Sequence, residues 1–100
     1  IMSLATRLQK YAAIQQYLAD KFPDSQIEQK NDFDRGAQSF KIEVTDSSLL
    51  LKIAGEFIDN NNIDEILRRL DDWNICALLG SEPGFGIMVT ENGPSPFERN

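Results

Sequence analysis

The stretch SFKIEVTDSSLLLKI, residues 39–53, holds two alternating runs around a polar turn. Phe40, Ile42 and Val44 alternate with Ser39, Lys41 and Glu43, which gives a strand with one dry face and one wet face. Thr45-Asp46-Ser47-Ser48 turns the chain. Leu49, Leu51 and Ile53 then alternate again, with Leu50 and Lys52 on the opposite face. Two such runs joined by a short polar turn spell a β-hairpin. A helix from Ser48 to Ile58 competes for the second run, but Gly55 counts against it.

Downstream, Asn62 and Glu65 have the spacing of a capping box: the Asn62 side chain accepts from backbone N–H groups and Glu65 reaches back. Asp64 adds favourable charge in the first turn. Ile63, Ile66, Leu67 and Leu70 follow the helical repeat, and Trp73 continues it. Ile75 to Leu79 fits a second short helix or a buried strand. Gly80, a natural C-terminal stop, favours the helix. Ser81-Glu82-Pro83-Gly84 reads as a turn. Phe85, Ile87 and Val89 then alternate with Gly86, Met88 and Thr90 as a last strand, ended by Asn92-Gly93-Pro94.

Upstream, Ser3 is the expected N-cap of a helix running to about Phe22. Leu4, Leu8, Tyr11, Ile14, Leu18 and Phe22 share one helical stripe, with Gln15 inside it and Tyr17 well off it. Pro23 stops this helix. Ser25 to Lys30 reads as a strand held mainly by Ile27. Asn31 to Gly36 reads as a loop in which Gly36 is free to take positive φ. These elements predict an α+β fold of two layers, with helices packed on one face of a mostly antiparallel four-stranded sheet, in the order α-β-β-β-α-(α)-β. A single domain is expected over residues 1–94, with a flexible C-terminal tail over 95–100.

Composition supports a folded domain. At 41% hydrophobic and 26% charged, the chain is too apolar for general disorder. The lone Cys76 forms no intramolecular disulfide and no zinc site, and its apolar neighbours make it a small hydrophobe rather than a reactive thiol. No apolar run approaches the roughly 20 residues that span a bilayer. Met2 leads into a polar-rich helix, not a basic stretch followed by an apolar one, so a cytoplasmic protein without a membrane partner is expected. The net charge is −6. Residues 1–22 carry Arg7, Lys10 and Lys21 against Asp20, a net of +2, which leaves −8 for the remainder. A body this negative repels phosphate and counts against nucleic acid as a partner.

The sequence contains no histidine, which removes the commonest general base and rules out Ser-His-Asp and Cys-His nucleophile systems within this chain. The acid–base groups left are carboxylates. Asp32 and Asp34, with Arg35 as an oxyanion partner, form the best enzymatic arrangement, although nothing fixes a substrate. Asp59 to Asp64 approaches a calcium loop, but its sixth and twelfth positions hold Asp64 and Leu70 where glycine and glutamate are needed. Gly80, Gly84 and Gly86 lack the lysine and following helix of a phosphate cradle. Arg68 and Arg69 fit local salt bridges, from Asp64 to Arg68 and from Glu65 to Arg69. The sequence thus assigns no catalytic residue, no cofactor and no metal site.

What stands out is apolar side chains on faces that should be wet. Tyr17 lies off its helix stripe, and Leu50 and Met88 lie opposite the inward sets of their strands. Tyr17, Leu50 and Met88 are therefore the expected partner-binding face of a small protein-binding or regulatory module, with a protein partner or a homodimer as occupant. Two alternatives compete: an acidic decoy that inhibits a nucleic-acid-binding protein, and a carboxylate-dependent enzyme.

Overall fold

The computed structural model describes residues 6–32, 36–45, 47–81 and 84–98, with Asp32 described for its backbone alone. The chain runs α1 (Arg7–Lys21), β1 (Gln26–Asp32), β2 (Ala37–Val44), β3 (Ser47–Ala54), α2 (Gly55–Asn60), α3 (Ile63–Asp72), α4 (Ile75–Ser81), β4 (Phe85–Thr90) and β5 (Gly93–Glu98). The expected hairpin forms, with Phe40 opposite Leu51 and Ile42 opposite Leu49. Gly36 takes the positive φ that its loop needs, at 59°.

The five strands lie in the order β1-β2-β3-β4-β5. Three neighbouring pairs are antiparallel and the β3–β4 pair is parallel, as a helical crossover between two strands permits. The α+β class therefore stands, while the expected four-stranded sheet is a five-stranded mixed one. The extra strand comes from the segment expected as a tail: residues 95–98 pair with β4 inside β5. A further helix, α2, follows β3 directly and buries Phe57 and Ile58.

Phe40, Ile42, Leu51, Ile53, Ile87 and Val89 face the helices and form one buried cluster with Tyr11, Ile14, Leu18, Phe57, Ile66 and Leu70. Alternation along each strand dictates this face, and the helical repeat supplies its cover. Trp73 joins as the C-cap of α3, with its ring 5.7 Å from that of Phe57.

Helix boundaries sharpen the sequence expectations. The Asn62–Glu65 capping box forms in both directions, with bonds of 2.8 and 2.9 Å. A second box caps α1, with Thr6 as N-cap and Gln9 closing it; the expected cap Ser3 and stripe residue Leu4 lie outside the described residues. Leu8, expected in the buried stripe, is 77% exposed, because it lies at the edge of that stripe, well round the helix from the buried Leu18. Ile75–Ser81 is helical, and Gly80 lies within it instead of ending it. Among the described residues Asp64–Arg68 and Glu65–Arg69 do not close as ion pairs. Two ion pairs that do close tie α1 to the other helices: Arg7 to Asp59 and Lys21 to Asp71. No described helix is long and apolar enough to cross a membrane.

Candidate functional site

Because the helices lie on one side, the alternate residues of each strand face away from them. Strand register arranges these residues in rows. Lys30, Ser39, Lys52, Met88 and Ser95 follow one another across the sheet, and Glu28, Lys41, Leu50, Gly86 and Phe97 form the row beside it. Two residues expected at a partner face, Leu50 and Met88, thus share this open face and are both half-buried. Phe97 joins them from β5.

Gly86 makes this arrangement possible. Its missing side chain leaves room for the Phe97 ring to lie over the β4 backbone: a Cβ at residue 86 would stand 2.7 Å from Phe97 Cε1 and 2.9 Å from the Leu50 carbonyl oxygen. The ammonium of Lys52 sits 5.2 Å from the centre of the same ring, within cation–π range. The β3–β5 half of the open face is therefore an apolar patch of Leu50, Met88 and Phe97 beside two lysines, Lys41 and Lys52. The β1–β2 half is polar.

Tyr17 does not join this surface. It sits in the helical layer, where its hydroxyl donates to Asp71 Oδ1 (3.5 Å) and its ring lies 5.7 Å from the Lys21 ammonium. Burial pushes the Tyr17 phenol well above its ordinary pKa, and the neighbouring Cys76 and Asp71 push the same way. Cys76 is half-buried. Burial raises its thiol pKa. A thiol held protonated in this way is a poor nucleophile.

No family model, curated protein or solved structure matches this chain.

The reading of function therefore rests on this chain's own groups. Of the enzymatic arrangement, Asp34 and Arg35 lie outside the described residues, as does the Asp32 side chain. Among the described residues no group of three carboxylates or thiols stands close enough to hold a metal ion. The carboxylates of the helical layer are partly engaged: Asp59 with Arg7, Asp71 with Lys21, and Glu65 in its capping box. The Arg7 guanidinium holds the Asp59 carboxyl below its usual pKa, chiefly through their hydrogen bonds. An open cleft of about 200 Å³ lies between the α1–β1 turn and the β2–β3 turn, lined by Lys21, Phe22, Asp24 and Val44 among others. It is smaller than the roughly 300 Å³ at which small-molecule sites begin.

Sequence reasoning missed Phe97, whose prolines on either side of Ser95 suggested a tail. The available signal was Gly86, a glycine inside an alternating strand, which marks a place where another group comes close.

Proposed function

We propose that this chain is a non-catalytic protein-binding module that docks its partner on the helix-free sheet face around Leu50, Met88 and Phe97. The observation that carries this reading is the meeting of three large apolar side chains from β3, β4 and β5 on the one side of the sheet that no described helix covers. Lys41 and Lys52 stand beside the patch in a molecule of net charge −6. The partner surface that complements this patch is apolar and rimmed by carboxylates. The overall charge argues against nucleic acid. A cytoplasmic setting agrees with the reading, since a lone thiol such as Cys76 stays reduced there.

The test is capture from source-cell extract with the wild-type chain and the Leu50→Asp and Met88→Asp variants side by side, each checked for an unchanged fold by circular dichroism. The expected result is a partner retained by the wild type and lost from both variants, with retention weakening as salt rises. Identical capture by all three proteins would remove the open face as the docking surface.

A further inference from the structure

The two edges of the sheet differ. In β5, Pro94 stands opposite Val89 and Pro96 opposite Ile87. A proline has no N–H, so neither residue can belong to a hydrogen-bonded pair of the ladder. Both occupy the alternate positions whose N–H groups would point away from β4. The outer edge of β5 has therefore lost two donors and is a poor template for another strand. At the other edge, β1 has β2 as its one strand neighbour among the described residues, and its sequence, Gln26-Ile27-Glu28-Gln29-Lys30-Asn31-Asp32, keeps every N–H.

That open edge is complementary to itself. Glu28 and Lys30 both lie on the helix-free face and both are exposed. If two copies pair β1 antiparallel about a two-fold axis at Gln29, Glu28 of each stands opposite Lys30 of the other, which creates two opposite-charge cross-strand pairs. Residues directly opposite must share a face, so the nearest alternative registers slip the axis by one residue. An axis at Glu28 sets Glu28 against Glu28. An axis at Lys30 sets Lys30 against Lys30 and Glu28 against Asp32. Charge therefore selects the pairing centred on Gln29.

An independent observation in α1 points the same way. Lys10 and Tyr17 face inward along the helical layer, bonding to the Ile58 carbonyl and to Asp71. Gln15 bonds to Gln29 and so marks the flank over β1. At about 100° per residue, Leu8, Ala12 and Ala19 lie on that same flank, opposite Lys10 and Tyr17. Leu8 is the most exposed large apolar side chain described, at 77%. Because α1 runs antiparallel to β1, a two-fold axis at Gln29 also passes near the level of Gln15. It lays the two α1 helices side by side, with Leu8 of one copy near Ala19 and Phe22 of the other and small alanines where the helices approach.

We propose that this chain forms a symmetric homodimer through β1, in a continuous ten-stranded sheet with α1 packed against α1. This interface is separate from the partner-binding face around Leu50.

Sedimentation equilibrium of the full chain tests it. The expected result is a concentration-dependent approach to twice the monomer mass of 11.3 kDa. Lys30→Glu is the cleaner single probe, since its neighbour on β2 is Ser39. It turns both cross-strand pairs repulsive and should weaken association by about tenfold or more. Glu28→Lys should weaken it as well, although it reduces the net negative charge and so lowers general repulsion between copies. The double variant E28K/K30E keeps the net charge and restores opposite charges, and its association should return to near the wild-type value. Leu8→Glu should weaken the dimer through the helices, while Leu50→Asp should leave it unchanged. Thermal melts confirm that each variant is folded. A strict monomer at millimolar concentration overturns the proposal, as does a dimer indifferent to the single charge swaps or a folded double swap that stays monomeric.

Discussion

Gly86 lets the ring of Phe97 rest on the backbone of β4, and the space it leaves is too small for a methyl group. Gly86→Ala must push that ring aside and also crowd the Leu50 carbonyl, which is backbone and yields little. Urea unfolding is expected to show a loss of about 1–3 kcal/mol, typical of overpacking. In a Phe97→Ala background the same substitution should cost less but still register, because the clash with the Leu50 carbonyl stays. A double-mutant cycle separates the two parts. Cys76 gives a second test at this scale. Its thiol pKa is raised mainly by burial. Alkylation near pH 7 should be slower than for a free thiol. The apolar surroundings of Cys76 were legible in its sequence neighbours; the nearby Tyr17, 59 positions earlier in the chain, was not.

Among the elements, α3 was the most legible, because a capping box and an apolar repeat coincide in one short stretch. Its cap is correspondingly sensitive: Asn62→Ala should cost about 1 kcal/mol in thermal or urea unfolding. The start of α1 was legible too, since Thr6 and Gln9 have capping-box spacing, yet Ser3 competes for the role on residue type alone. The exposure of Leu8 was not legible. A helical stripe says which way a side chain points, not how far round the helix the layer beneath it extends. Helix α2 was hidden by its six-residue length and by Gly55 at its start. Its link to α1, the Arg7–Asp59 pair, joins two side chains that are each about half exposed, 53% and 51%. Such a pair contributes at most about 1 kcal/mol. The Asp59 carboxyl pKa is lower in the folded chain than in the unfolded one, so its contribution is present above the unfolded value, about 3.9. It is lost as pH falls through the lower folded value. Asp59→Asn should therefore be less stable than the wild type at pH 7, and the two stability curves should merge in acid. High salt should also narrow the gap.

At the scale of the whole molecule, the fifth strand separates sequence from structure most clearly. Residues 93–98 read Gly-Pro-Ser-Pro-Phe-Glu, and two prolines in six residues argue against a strand inside a sheet. The argument fails at an edge, where only alternate N–H groups are needed and both prolines fall on the alternate set that faces out. A chain ending at Asn92 tests which account is right. If residues 95–100 were a tail, their removal, with Gly93 and Pro94, would change stability by no more than about 0.5 kcal/mol. In the observed fold the deletion strips Pro94 and Pro96 from beside Val89 and Ile87, which are 0% and 5% exposed, and takes Phe97 off Gly86. The loss should be on the order of 2–4 kcal/mol from the uncovered apolar surface alone. It also turns β4 into the sheet edge, and its sequence, Phe85-Gly86-Ile87-Met88-Val89-Thr90, carries no charge and no proline. An uncharged apolar edge strand with free N–H groups is a template for aggregation. The shortened chain is expected to unfold at a lower urea concentration and to form light-scattering species larger than the dimer, while the full chain, with its proline-blocked edge, stops at the dimer. An unchanged urea midpoint together with clear solutions would show that β5 adds nothing to the sheet.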